Sequence, residues 1–154
     1  MLSPALSTMY GMKPLLLASC ALSVCLCLGA GRGWASPGLA VDRNGDGRPD
    51  QWYELANGRV ASLTLDRNYD DRVDYAVEFD AQERKVSEQL DFNFDGRMDD
   101  FYYFEKGSLI RQEIDTNFDE RIDVWVYLEG QYIRRYEMDE DFDGVAEVKK
   151  EFGP

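Results

Sequence analysis

From residue 51 onward, runs of aromatic and β-branched residues alternate with runs of Asp, Asn, Gly and Arg. The clearest stretch is 99–115: an aromatic run, Phe101-Tyr-Tyr-Phe104, a Gly107 turn, then a mixed run ending in Ile114. Two such runs around a tight Gly turn predict a β-hairpin. The same plan recurs as Gln51–Ala56, Asn57-Gly58 and Arg59–Leu65. It recurs again as Val124–Leu128, Glu129-Gly130 and Gln131–Met138. A further copy turns through Asp80-Ala-Gln-Glu83, which adds one residue. Within the first strands, Tyr53/Leu55, Val77/Phe79, Tyr102/Phe104 and Val126/Leu128 fall on one face. Trp52/Glu54, Ala76/Glu78, Phe101/Tyr103 and Trp125/Tyr127 fall on the other. A period of two with one cleaner face is the pattern of antiparallel strands, and no helix is predicted. Four hairpins and a last strand over 147–152 predict an all-β antiparallel meander of about nine strands. These tandem hairpin repeats would form an elongated twisted sheet or a β-solenoid. A single flat sheet would leave a large apolar face exposed, so curling or a partner is expected.

The polar runs between hairpins are copies of one unit. They read Asp42-Arg-Asn-Gly-Asp-Gly-Arg-Pro-Asp50, Asp66-Arg-Asn-Tyr-Asp-Asp-Arg-Val-Asp74 and Asp91-Phe-Asn-Phe-Asp-Gly-Arg-Met-Asp99. Asp115-Thr-Asn-Phe-Asp-Glu-Arg-Ile-Asp123 and Asp139-Glu-Asp-Phe-Asp-Gly-Val-Ala-Glu147 complete the set. Their starts are 24, 25, 24 and 24 residues apart, a fixed period that marks a repeat architecture. Counting within each loop, position 1 is Asp42, Asp66, Asp91, Asp115 or Asp139. Position 3 is Asn44, Asn68, Asn93, Asn117 or Asp141, and position 5 is Asp46, Asp70, Asp95, Asp119 or Asp143. Position 9 is Asp50, Asp74, Asp99, Asp123 or Glu147. These positions hold 16 of the 30 acids, so most of the acidity is organised and not diffuse.

The charge is also divided along the chain. Residues 1–36 hold no acid and only two basic residues, Lys13 and Arg32. Lys13, the apolar run Pro14–Gly31 and the small residues around Trp34 have the order of a signal peptide. The cut is expected after Ala35, with a short linker over 36–41 and the repeats over 42–154. Met12 makes a better start than Met1, because Lys13 follows it directly. Two alternatives are a lipidated Cys20 within Leu17-Ala-Ser-Cys20 and an uncleaved, marginal anchor. Only these two would tie the chain to a membrane; cleavage predicts a secreted or periplasmic bacterial protein. Cleavage leaves 15 basic against 30 acidic residues, a charge of -15, and removes Cys20, Cys25 and Cys27. No disulfide and no thiolate metal site then remain. With no His, imidazole catalysis and His-ligated zinc are excluded. Nucleic acid is excluded as a partner, since phosphate would be repelled. An aromatic content of 13% separates the chain from acidic disordered sequences.

Loop positions 1 to 9 resemble the opening of EF-hand-type calcium loops, as in EF-hands, dockerin modules and thrombospondin type 3 repeats. The resemblance is to the loop alone. It implies side-chain oxygens from positions 1, 3 and 5, a backbone carbonyl from position 7, and position 9 acting through water. Hard oxygen donors without His or Cys suit calcium. The resemblance implies several weak sites, at about 10⁻⁴–10⁻³ M for extracellular modules. Three departures stand out. Position 12 is Tyr53, Val77, Tyr102, Val126 or Lys150, never acidic. Position 6 is Gly47, Gly96 and Gly144 but Asp71 and Glu120 in the other two loops, which makes those two poorer sites. Strands replace the flanking helices, so no opening switch is implied. Without metal, the loops would be Asx-turn connectors, with the position 7 arginines neutralising position 1 or 9 of a neighbouring loop.

The aromatics, including Trp52, Phe101, Tyr103, Trp125 and Tyr127, would pack the sheet or offer stacking platforms to a sugar. Five equivalent loops single out no catalytic copy, so an enzyme is not expected, and a carboxylate hydrolase is the distant third class. The sequence points to an exported calcium-binding repeat protein with a structural or adhesive role at the cell envelope. The alternative is a calcium-independent module that binds an envelope glycan or protein through its sheet face.

Overall fold

The computed structural model describes residues 38–153; the expected signal segment 1–35 and Cys20 lie outside them. Ten antiparallel strands form one open sheet in strict sequence order, and no helix occurs among the described residues. The strands are β1 (Leu39–Val41), β2 (Gln51–Ala56), β3 (Arg59–Leu65), β4 (Tyr75–Phe79) and β5 (Lys85–Leu90). They continue as β6 (Asp100–Glu105), β7 (Ser108–Ile114), β8 (Val124–Glu129), β9 (Tyr132–Met138) and β10 (Val148–Glu151). The all-β meander is as expected, in its open-sheet form, with ten strands in place of nine. The added strand is β1, which lies in the stretch expected to be a linker. Leu39, Ala40 and Val41 pair with Tyr53, Trp52 and Gln51, so residues 39–41 belong to the repeat.

The hairpins share one construction. In each, a register shift falls in the second strand, beside Glu54/Leu55, Glu78/Phe79, Tyr103/Phe104 and Tyr127/Leu128. The extra residues are Ala61, Val86, Ile110 and Arg134. Such a bulge reverses which face the rest of that strand presents. Val86 and Ile110 are accordingly exposed. Asn57-Gly58 and Lys106-Gly107 turn with two consecutive positive φ angles, as a two-residue primed turn requires. The last hairpin turns at Gly130-Gln131, not Glu129-Gly130: Glu129 pairs with Tyr132, and Gly130 alone has a positive φ. Beside each bulge, one cross-strand pair bridges the hairpin. It is Ser62 to Glu54 and Ser87 to Glu78 in the first two, and Arg111 over Tyr103 and Arg135 over Tyr127 in the others.

The apolar core is thin. Among the described residues, Val77 and Val124 are the buried hydrophobic ones, and they share one face of the sheet. The other large apolar side chains are half-buried or exposed. Nine aspartates are buried instead, and eight of them sit at positions 1 or 9 of the loops. Such burial is unusual for carboxylates and requires partners for each. The loop edge of the sheet supplies those partners.

Candidate metal-binding loops

Each loop joins the second strand of one hairpin to the first strand of the next, so all five lie along one edge of the sheet. The base is closed by the backbone. In the first four loops the position 9 amide donates to the strand residue just before the loop, as from Asp74 to Leu65 at 2.8 Å and Asp99 to Leu90 at 2.8 Å. Successive loops are joined too: the amide of Asp66 donates to the carbonyl of Asp50, and Asp91, Asp115 and Asp139 repeat this at 2.8–2.9 Å.

Inside the loop, carboxylates take over from the backbone. At position 1 of the first four loops, one oxygen accepts the amide of position 4, as from Tyr69 to Asp66 at 2.6 Å and Phe118 to Asp115 at 2.7 Å. The other oxygen accepts the amide of position 6 in all five loops, at 2.7–2.8 Å. Position 3 accepts the amide of position 5, from Asp46, Asp70, Asp95, Asp119 and Asp143 to Asn44, Asn68, Asn93, Asn117 and Asp141. Position 5 accepts the amide of position 7 in every loop. Each loop is thus a series of Asx turns wound around its own acids.

The winding requires a left-handed backbone at positions 4 and 6. Gly45, Tyr69, Phe94, Phe118 and Phe142 hold φ of 62° to 80°, and position 6 holds 69° to 94°. Gly tolerates this freely, whereas bulky side chains resist it. Asp71 and Glu120, at φ 69° and 73°, nonetheless match the glycines, and the same hydrogen bonds form around them. The two loops without Gly are therefore built like the others.

Position 9 is the exception to full pairing. Its Oδ2 accepts the amides of positions 2 and 3, as from Arg67 and Asn68 to Asp74 at 2.6 and 3.1 Å. Asp50, Asp99 and Asp123 bind the same pair of amides, while Glu147 takes only that of Glu140. The second oxygen, Oδ1, of Asp50 and of Asp74 is buried with no partner. Those residues are 3% and 0% exposed. A buried unpartnered carboxylate oxygen costs free energy, on the order of 1–3 kcal/mol or more for a charged group. Burial, opposed by the two amide bonds and reinforced by the charges of Asp66 and Asp70, pushes the Asp74 carboxyl up. Asp99 is pushed up in the same way, with Asp91 and Asp95 as the neighbouring charges.

The acids also converge. In the fourth loop, carboxylate oxygens of Asp115, Asp119 and Asp123 lie within 4.8 Å of one another. In the fifth, Asp139, Asp141, Asp143 and Glu147 do the same. In the second and third loops, positions 1 and 5 are close enough to act on the charge of position 9. Each carboxylate oxygen has two lone pairs, so accepting one amide still leaves a donor for a cation.

The position 7 arginines do not seek positions 1 or 9 of a neighbouring loop. Arg48 pairs with Asp71 at 2.8 Å and Arg97 with Glu120 at 2.9 Å, both at position 6 of the next loop. Arg72 reaches the third loop, where position 6 is Gly96, and donates to the Asp95 carbonyl at 2.7 Å. Alternating acid and Gly at position 6 was the only sequence trace of this arrangement.

A second polar cluster, outside the repeat pattern of the sequence, lies on the sheet face. Buried Asp100 accepts from Tyr102 at 2.7 Å and from Gln112, while Glu88 on β5 accepts from Tyr75 and Lys85. Burial and the Glu88 bond push the Tyr75 hydroxyl up to about 12. These groups satisfy one another on the sheet face. A separate groove of about 290 Å³ lies between the third and fourth loops, walled by Phe101, Tyr103 and Phe118.

No protein-family model matches this chain, and no curated protein does. Among solved structures it is similar to a chain in the crystal structure of accessory secretory protein 1,2 and 3 in Streptococcus pneumoniae. The identity is 13% and the TM-score 0.47, over 72% of this chain and 20% of that one. This chain thus spans one fifth of that chain's length.

Proposed function

We propose that this is an exported calcium-binding repeat protein with a structural or adhesive role at the cell envelope. The observation that carries the reading is the buried, unpartnered Oδ1 of Asp50 and Asp74, beside the convergence of the equivalent acids in the fourth and fifth loops of the same repeat. A hard divalent cation is the partner that such an oxygen lacks. Positions 1, 3, 5 and 9 would hold the ion: Asp115, Asn117, Asp119 and Asp123 in the fourth loop, and their equivalents elsewhere. Bound calcium would supply charge neutralisation, turning five acidic loops on one edge from mutually repulsive to cohesive. Ions that bind only the folded chain stabilise it by mass action, so several weak sites act together. The sheet has little apolar core to fall back on, which gives that stabilisation unusual weight. The leader-like residues 1–35 support export.

Calorimetric titration of the purified protein with calcium tests the reading. Saturable heat, with stoichiometry above one and a gain of β signal in circular dichroism, is expected. Absence of heat to several millimolar calcium would defeat it. A second reading, a glycan- or protein-binding sheet face, draws on the aromatic groove between the third and fourth loops. Against it, Arg111 and Arg135 lie over the rings of Tyr103 and Tyr127 at 4.2 and 3.9 Å, each occupying one face that a sugar would otherwise stack upon. Quenching of tryptophan fluorescence by oligosaccharide would favour this second reading.

A further inference from the structure

Neighbouring loops are wired to each other through their arginines. The amide of Arg48 donates to Asp46 of its own loop at 2.8 Å, and its guanidinium to Asp71 of the next at 2.8 Å. The Asp71 amide in turn holds Asp66 at 2.8 Å. Arg72 joins Asp70, at 2.9 Å, to the carbonyl of Asp95 at 2.7 Å, and the following amide, of Gly96, holds Asp91 at 2.7 Å. Arg97 joins Asp95, at 2.9 Å, to Glu120, whose amide holds Asp115 at 2.7 Å. Each path therefore runs from the position 5 carboxylate of one loop to the position 1 carboxylate of the next.

We propose that Arg48, Arg72 and Arg97 couple the calcium sites of the first four loops, so that filling one loop organises the next and binding along that part of the edge is cooperative. The proposal rests on the calcium reading above. An arginine serving only to neutralise charge would settle on a carboxylate. Arg72 settles on a backbone carbonyl, at the same place in the loop that Arg48 and Arg97 reach through a side chain. The constant element is the destination, residues 5 and 6, whose backbone presents the amide to position 1. Gly96 is shaped for this contact as well as for its turn, since a Cβ there would stand 2.9 Å from Arg72 Cδ. The joined backbone, Asp50 to Asp66 and its repeats, gives the same neighbours a second connection. A loop held open by its own like charges leaves position 5 unordered, and with it the arginine that steadies the next loop. A cation that draws position 5 inward orders both. The arginine side chains are largely exposed, at 70% for Arg48 and 59% for Arg97, so each coupling is modest. About two- to fivefold in affinity between neighbours is expected.

The test is a calcium titration of the full chain in three forms: unaltered, Arg72→Ala and Arg48→Ala, with Arg59→Ala as a control on the opposite edge. The unaltered chain should show a Hill slope above 1. Each loop variant should lower that slope and weaken binding about two- to fivefold, with the number of ions unchanged. Amide exchange read in chelator gives a metal-free check: Gly96 should exchange faster in Arg72→Ala and keep its rate in Arg59→Ala. Arg48→Ala, which loses only an exposed contact, keeps the test decisive if Arg72→Ala folds poorly. A Hill slope of 1, or unchanged slopes in the loop variants, overturns the coupling and leaves calcium binding intact. A chain that takes up no calcium overturns both.

Discussion

The two edges of this sheet solve the same problem with different chemistry. At the hairpin edge, three of the four turns are two-residue reversals made by the backbone, and side chains there are largely free: Tyr132 is 74% exposed. Only the second turn uses a carboxylate, Asp80, which accepts the amides of Gln82 and Arg84. At the loop edge, nine residues make each reversal, and carboxylates serve as the acceptors that a strand would otherwise supply. The difference teaches that acids in these loops have two separable jobs. One is to accept amide hydrogen bonds, which an amide oxygen could also do. The other is to carry charge into a shared interior, which costs energy unless a cation offsets it. On the proposed reading, that surplus charge is what calcium would neutralise.

The largest contrast should come from removing a position 9 acceptor. Asp74→Ala removes a buried acceptor from the amides of Arg67 and Asn68 and should cost about 2–4 kcal/mol in chelator, read from thermal or urea unfolding. A loss no larger than that of a hairpin-edge substitution would collapse the distinction between the edges. Next come the glycines. Gly96→Ala meets Arg72 and a φ of +92°, whereas Gly58→Ala meets only a φ of +78° with nothing within 4 Å. The first should cost about 2–3 kcal/mol and the second about 1 kcal/mol; equal losses would show that Arg72 does not press on the third loop.

A smaller effect is a matter of pH and belongs to the hairpin edge. Bonds from the Arg84 guanidinium and backbone hold the Asp80 carboxyl below the usual carboxylate range. Because the folded value is depressed, the contribution is present above the ordinary pKa of 3.8 and fades as pH falls through the folded value. Asp80→Asn should therefore melt below the unaltered chain at pH 6 and converge with it at the acid end; a constant gap across that range would refute the assignment. Smallest of all, Tyr132→Ser should change stability by less than about 0.5 kcal/mol, since an exposed turn-side residue has little to lose.

The period, the hairpins and the acids at positions 1, 5 and 9 are legible in the sequence because they follow from alternation and spacing. What lies beyond is set by three-dimensional offsets. β1 escapes notice because three residues make too short a run to show alternation, although Val41 precedes its loop as Leu65 and Leu90 precede theirs. The fourth turn shifts by one residue because Glu129-Gly130 and Gly130-Gln131 differ only in register, which pairing with Tyr132 decides. The arginine targets depend on the stagger between successive loops, so position 6 wins over the more numerous acids at positions 1 and 9. The buried Asp100 breaks a column otherwise filled by Gln51, Tyr75, Val124 and Val148, and only its partners, Tyr102 and Gln112, explain it. The free oxygen of position 9 is likewise a matter of geometry: a sequence shows that an acid is present, not which of its oxygens is already engaged.

The most direct test separates the two jobs of one acid. Asp74→Asn keeps an oxygen for the amides of Arg67 and Asn68 and removes the charge that Asp66 and Asp70 oppose. Thermal melts of this variant and the unaltered chain, each in chelator and in millimolar calcium, give four numbers. In chelator the variant should melt at the same temperature or higher. In calcium it should melt lower, because the unaltered chain gains stability that the variant cannot match. A variant that keeps the full calcium gain, or an unaltered chain whose melt ignores calcium, would contradict the account.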